Sequence, residues 1–249
     1  IAEQGKYPVI KLNFKSMKAT SFEDMFLTIQ EEFRMLFSSK RYLMETLTED
    51  DLTIYKRILS KEANIKEYEL SIKLLSQAME RYYGQKVILL IDEYDVPIQT
   101  GYTRGFYNEI IGFIKNLFGN TLKTNNSIKQ AVMTGILRVS KESIFSDLNN
   151  VGVFTAMDNM YDEYFGFTET ETEELLKHYG YELTEEVKRM YDGYIFGNQA
   201  IYNPWSILNY VEDGKLYPYW VNTSADELLR QLFEGARDKT SEMLEKLLR

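Results

Sequence analysis

The sequence predicts an α/β fold: a parallel sheet followed by a mostly helical subdomain. Three observations carry this. Residues 87–91, Val-Ile-Leu-Leu-Ile, form a run that fits a strand buried on both faces, and it ends in Asp92-Glu93-Tyr94-Asp95. A second strand-like run, Lys129-Gln-Ala-Val-Met-Thr-Gly135, follows further along. Helix-period segments separate the strand-like ones, and parallel neighbours need such crossovers.

Taken in order, Val9–Phe14 reads as the first strand. Ser21 is placed to cap a helix that gathers Phe22, Met25, Phe26, Ile29 and Phe33 on one face. Thr48 with Asp51 marks another helix start, and a long helix is expected from about Asn64 to Tyr83, stopped by Gly84. The 87–92 strand comes next, with Pro97 beyond its end. Tyr102 to Phe118 reads as one helix burying Phe106, Ile110, Phe113, Ile114 and Leu117. The strand at 129–135 is expected to be buried, with Thr134-Gly-Ile-Leu-Arg138 at its carboxyl end.

After about Gly166 the texture changes, dividing the chain into an α/β core, 1–165, and a helical subdomain, 166–249. Thr168-x-x-Glu171 is a capping box, and Thr184 starts a second short helix. Tyr194 to Tyr202 reads as a hairpin around Gly197-Asn198. Asn203-Pro204 opens a helix with Pro at its first position, and Ser224 opens another. Tyr191-Asp-Gly-Tyr194 and Trp205 read as an aromatic core for this half.

Composition narrows the function. Twenty-nine Lys and Arg against 38 Asp and Glu give a net charge of −9, a poor match for general nucleic-acid binding, although the 19 Tyr and two Trp leave base stacking open. Absence of Cys excludes disulfides and Cys-ligated zinc. One histidine, His178, excludes a multi-histidine metal site, and its place near a helix carboxyl end suits a cation there. No apolar run approaches the ~18 residues of a membrane span, and no secretory signal is visible, which fits a cytoplasmic protein without a membrane partner. The chain begins with Ile1, so the natural start is expected to lie upstream.

Several segments in fixed order resemble the AAA-ATPase-like family of bacterial and archaeal proteins, a P-loop NTPase-like family often fused to a PD-(D/E)XK-type nuclease domain. They are Val87-Ile-Leu-Leu-Ile-Asp-Glu-Tyr-Asp-Val-Pro-Ile98, Thr134-Gly-Ile-Leu-Arg138, Ile144-Phe-Ser-Asp-Leu-Asn-Asn150, Tyr164-Phe-Gly-Phe-Thr168, Tyr191-Asp-Gly-Tyr194, Tyr202-Asn-Pro-Trp-Ser206 and Tyr219-Trp-Val-Asn-Thr-Ser224. The resemblance implies that Asp92 is the Walker B residue holding Mg²⁺, Glu93 the catalytic base, Thr134 a sensor-type nucleotide-facing residue and Arg138 a phosphate-approaching catalytic residue. Arg138 reads equally as an ion pair with the acidic loop. The resemblance also implies a downstream nuclease domain in the parent protein.

One departure is large. No Gly-x-x-x-x-Gly-Lys-Ser/Thr phosphate cradle occurs. In the family it lies upstream, on a strand beside the one carrying Thr134. Without that strand a buried ladder would be left unpaired, so either the missing segment is supplied from elsewhere or the remaining strands close ranks. ATP and Mg²⁺ are expected for the full-length protein and no cofactor for this chain alone. Three readings follow: an ATPase module acting as a nucleotide-driven switch with a helical lid, a non-catalytic interaction module on the same fold, or a metal-dependent nuclease. The nuclease would use Asp92, Glu93 and Asp95 and needs a Lys after a strand carboxylate; Glu186-Val-Lys188 has the Glu-x-Lys spacing but sits in a helix-like context.

Overall fold

The computed structural model describes residues 3–123, 125–136 and 151–222. Arg138, the 144–150 motif and the helix expected from Ser224 lie outside them. Contacts divide the chain into two units, Ile1–Val151 and Gly152–Arg249.

In the first unit, β1 (Val9–Asn13), β2 (Val87–Asp92) and β3 (Ile128–Met133) form a parallel sheet in that order. Asn13 stands beside Asp92, and Ile91 beside Met133. The crossover from β1 to β2 contains α1 (Phe22–Ser38), α2 (Glu49–Ser60) and α3 (Ile65–Tyr83). The expected caps form: the side chains of Ser21, Thr48 and Asn64 accept from the backbone N–H groups of Asp24, Asp51 and Glu67. Asn64 and Glu67 complete a capping box, and Gly84 ends α3 at φ 64°, a left-handed backbone that glycine adopts without strain.

The period-2 pattern sends Ile10, Leu12, Val87, Leu89 and Ile91 to one face, where they join Met25, Ile29 and Phe33 of α1 and Ile72 and Leu75 of α3 in one core. Rings tie the layers together. Phe26 meets Tyr68 edge-on at 5.4 Å and Phe113 at 5.9 Å, and Phe14 stacks with Phe118 at 6.5 Å. The Tyr55 hydroxyl donates to the carbonyls of Phe37 and Lys40, closing α2 onto the end of α1.

The other face of the sheet is open, which corrects the expectation of a strand buried on both sides. Val9, Leu90 and Val132 are 43%, 36% and 45% exposed on it. β3, expected to be a buried strand, has no fully buried residue. Among the described residues its outer edge has no strand partner.

A second correction concerns the stretch after β2. Instead of one helix from Tyr102, two form: α4 (Val96–Arg104), with Pro97 in its first turn, and α5 (Tyr107–Leu122). Gly105 breaks them at φ 86°. The break lets α4 fold back on α5, with Gly101 against Ile110 and Phe106. Phe106, Ile110, Phe113, Ile114 and Leu117 are buried as the spacing predicts.

The second unit contains α6 (Glu169–His178), α7 (Glu185–Tyr191) and α8 (Pro204–Asp213), capped by Thr168, Thr184 and Asn203 as expected. It also holds a small antiparallel sheet, β4 (Phe167–Thr168), β6 (Gln199–Tyr202) and β5 (Asp192–Phe196), in that spatial order. Its core is Leu176, Val187, Tyr191, Tyr202 and Ile207. Tyr194 and Trp205, read as core from their aromatic character, are 47% and 56% exposed. Most of β5 is exposed, and of the β5–β6 hairpin only Ile201 and Tyr202, at the end of β6, are buried. No helix among the described residues is long and apolar enough to cross a membrane.

The packing at Gly101 makes a sharp prediction. In an exposed helix Gly→Ala stabilises by about 1 kcal/mol. Here a β-carbon would run into Ile110 Cγ2 and lie 3.3 Å from the Phe106 carbonyl. Gly101→Ala should therefore destabilise the chain by about 1–3 kcal/mol in urea unfolding.

Candidate functional site

A parallel sheet presents its strand ends together, and ligands of open α/β folds bind outside the carboxyl ends. Here that edge carries Asn13 from β1, Asp92 from β2 and Thr134 just after β3. The pairing Asn13↔Asp92 puts the first two on the open face. The Thr134 hydroxyl donates to Asp92 Oδ1 at 2.5 Å, a short charge-assisted bond, while the Thr134 N–H donates to the Ile91 carbonyl at 2.8 Å. The structure thus brings Asp92 and Thr134 into contact across 42 residues of sequence. Asn13 Oδ1 accepts from the Lys15 N–H at 2.9 Å. No sequence motif points to Asn13; its signal is only that it is a polar residue ending a strand that pairs with β2.

Glu93 follows at φ 53°, one of the few non-glycine residues in the left-handed region. That conformation costs an L-residue about 1–2 kcal/mol. It persists because its neighbours fix the chain on both sides: the Tyr94 N–H donates to the Thr134 carbonyl at 3.1 Å, and the Val96 N–H closes the turn onto the Glu93 carbonyl at 3.1 Å. Strain of this kind gathers at functional turns, where surrounding structure over-determines the backbone. The Glu93 side chain remains partly exposed, as does that of Asp92.

Asp95 has a different place. It is fully buried at the start of α4, where its Oδ2 accepts from Gln99 Nε2 at 2.6 Å and from the Ile136 N–H at 3.1 Å. Its carboxylate is therefore turned into the protein and suits neither a general base nor a solvent-facing metal ligand. Glu186 and Lys188 lie on helix α7 of the second unit, not on a strand. Among the described residues no group of three or more potential ligands is gathered closely enough to enclose a metal ion.

The described residues also offer little cavity near this edge. A space of about 140 Å³ lined by Lys11, Asn13, Phe14, Met17 and Glu32 lies at the end of β1. It is well below the ~300 Å³ at which small-molecule pockets begin. What the edge provides is a carboxylate held by a hydroxyl, a second carboxylate on a strained turn, and a neighbouring amide. These fit a hydrated cation held through water rather than a closed metal cage. Among the described residues this edge does not include a row of backbone amides to cradle phosphate.

The left-handed Glu93 gives a testable stability difference. Glu93→Gly should raise unfolding free energy by about 1 kcal/mol, because glycine adopts this backbone freely. Glu93→Val, β-branched, should lower it. Urea titrations of both variants beside the parent chain check the sign.

The family described as predicted AAA-ATPase, AAA-ATPase-like, matches residues 1–145, which contain the whole parallel sheet. An uncharacterized protein in the vnfD 5' region of Azotobacter chroococcum mcd 1 is 29% identical over 191 residues, 75% of this chain. The match covers 36% of that relative, so this chain spans little more than a third of its length. No solved structure matches the chain. A match over more than half of the chain, on a parallel sheet whose ends gather Asp92, Glu93 and Thr134, places this protein in the AAA-ATPase-like family.

Proposed function

We propose that this chain is the metal-facing part of an ATPase module, a nucleotide-driven switch whose full-length form binds and hydrolyses ATP. The observation that carries the reading is the bond from the Thr134 hydroxyl to Asp92 Oδ1 beside a left-handed Glu93 at the carboxyl edge of a parallel sheet. Mg²⁺-ATP would supply the phosphoryl group to be transferred to water. Asp92 would hold the hydrated cation through water, its Oδ1 fixed by Thr134 so that the carboxylate cannot rotate. Glu93, on the next residue, would take the proton from the attacking water. Thr134 would report the state of the site to β3, and Arg138 would approach a phosphate oxygen.

The phosphate cradle is supported by no residue of this sequence, so the reading divides into two tests. Calorimetric titration of this chain with Mg²⁺-ATP should show weak binding or none; a micromolar dissociation constant would mean that another loop supplies the cradle. In the full-length protein, Glu93→Gln should lower kcat by about 10²–10⁴-fold while leaving ATP binding intact, because an amide cannot accept the proton. Asp92→Asn should instead weaken Mg²⁺-dependent binding. Full-length protein that binds ATP without turning it over, with or without these substitutions, would favour the non-catalytic interaction module on the same fold.

A further inference from the structure

Asp95 is a buried carboxylate that the proposed chemistry does not use. It belongs to the turn after β2, yet it bonds to the loop after β3 through the Ile136 N–H. The same loop has no space for a side chain where it crosses this carboxylate. A β-carbon on Gly135 would stand 2.6 Å from Asp95 Oδ1 and 2.8 Å from Tyr94 Cε1. Between these two contacts runs a third, from the Tyr94 N–H to the Thr134 carbonyl. Three successive residues of one loop, Thr134 to Ile136, are thus seated on two successive residues of the other.

Glu93 lies immediately before this seat, and its left-handed backbone is what the seat would enforce. A free turn would relax such a residue to negative φ, since nothing in its own side chain favours the left-handed region. Gln99, one helical turn along α4, donates to Asp95 Oδ2 and so fixes the carboxylate from its own side.

We infer that Asp95, with Gly135, is a clasp that locks the loop after β3 onto the turn after β2 and thereby holds Glu93 in its left-handed, outward-facing conformation. Asp95 is in this sense a positioning residue: it acts through Glu93 and touches no substrate. The inference rests on the reading of Glu93 as the proton acceptor, but the backbone it describes can be measured without any turnover.

The test uses the full-length protein and the variants Asp95→Ala, Asp95→Asn and Gly135→Ala, with two readouts. The first is the backbone ¹³C shifts of Glu93, which distinguish left-handed from right-handed φ, together with the amide proton of Ile136. The second is kcat and KM for Mg²⁺-ATP. Asp95→Ala and Gly135→Ala should move Glu93 out of the left-handed region and lower kcat at least tenfold with KM within about twofold. Asp95→Asn keeps an oxygen acceptor for the Ile136 N–H and should retain the Glu93 shifts and recover most of kcat. Unchanged Glu93 shifts in Asp95→Ala, or Asp95→Asn as impaired as Asp95→Ala, would overturn the clasp. If Asp95→Ala does not fold, Gly135→Ala decides, because it presses the seat from the other loop and leaves the carboxylate in place; unmoved Glu93 shifts there reject the inference. A parent protein with no ATP turnover would sink the ATPase reading, while the shift readout would still decide the clasp.

Discussion

The first unit depends on β2 being paired in parallel on both sides. Parallel partners cannot be joined by a tight turn, so the chain must leave the sheet and return over one face between strands. That requirement places α1, α3 and α5 against the Ile10, Leu12, Leu89 and Ile91 side and gathers their aromatic rings into one core. It also brings three strand ends to the same edge, which is why Asn13, Asp92 and Thr134 become neighbours although they are far apart in sequence. The polar edge and the apolar core are therefore two results of one pairing pattern.

Much of this was legible in the chain itself. The caps at Ser21, Thr48, Asn64, Thr168, Thr184 and Asn203 are local, set by a side chain and an N–H a few residues on, and each forms as its spacing implies. Strand identity and parallel order followed from apolar runs separated by helical crossovers. Misreadings arose where the deciding neighbour is distant. The period of Tyr102 to Phe118 is helical throughout, and only the folding of α4 onto α5 shows why Gly105 must break it. Continuous apolar character in β2 suggested two covered faces, but hydrophobicity alone does not say which faces find a partner. The exposure of Trp205 and Tyr194 has the same origin: aromatic content marks material for a core, not its use.

The site was legible as composition and not as geometry. Asp92 and Glu93 stand out because carboxylates end an apolar strand, and Thr134 because it ends the next one. Nothing in the local sequence announces that Glu93 takes positive φ, that Asp95 turns inward while Asp92 and Glu93 stay partly exposed, or that Gly135 is required by the approach of Asp95 and Tyr94. Those features come from contacts across 41 and 42 residues of sequence, which periodicity cannot report. Asp92 and Asp95 lie three residues apart in one acidic turn and have opposite roles, one held by a hydroxyl at the open edge and the other tied to a backbone amide inside.

The open face of the sheet has a bearing on how the chain behaves in bulk. Val9, Leu90 and Val132 stand on it, and the outer edge of β3 has no strand partner among the described residues, a combination that invites strand-to-strand association between molecules. Lysines sit on both edge strands, Lys11 on β1 and Lys129 on β3, the latter with its ammonium 3.6 Å from the centre of the Tyr7 ring. Positive charge on edge strands resists such stacking, and the overall negative charge of the chain keeps molecules apart at neutral pH. Both safeguards are colloidal. The long-range repulsion vanishes near the sequence isoelectric point of about 4.9, so mild acid is where this chain should precipitate.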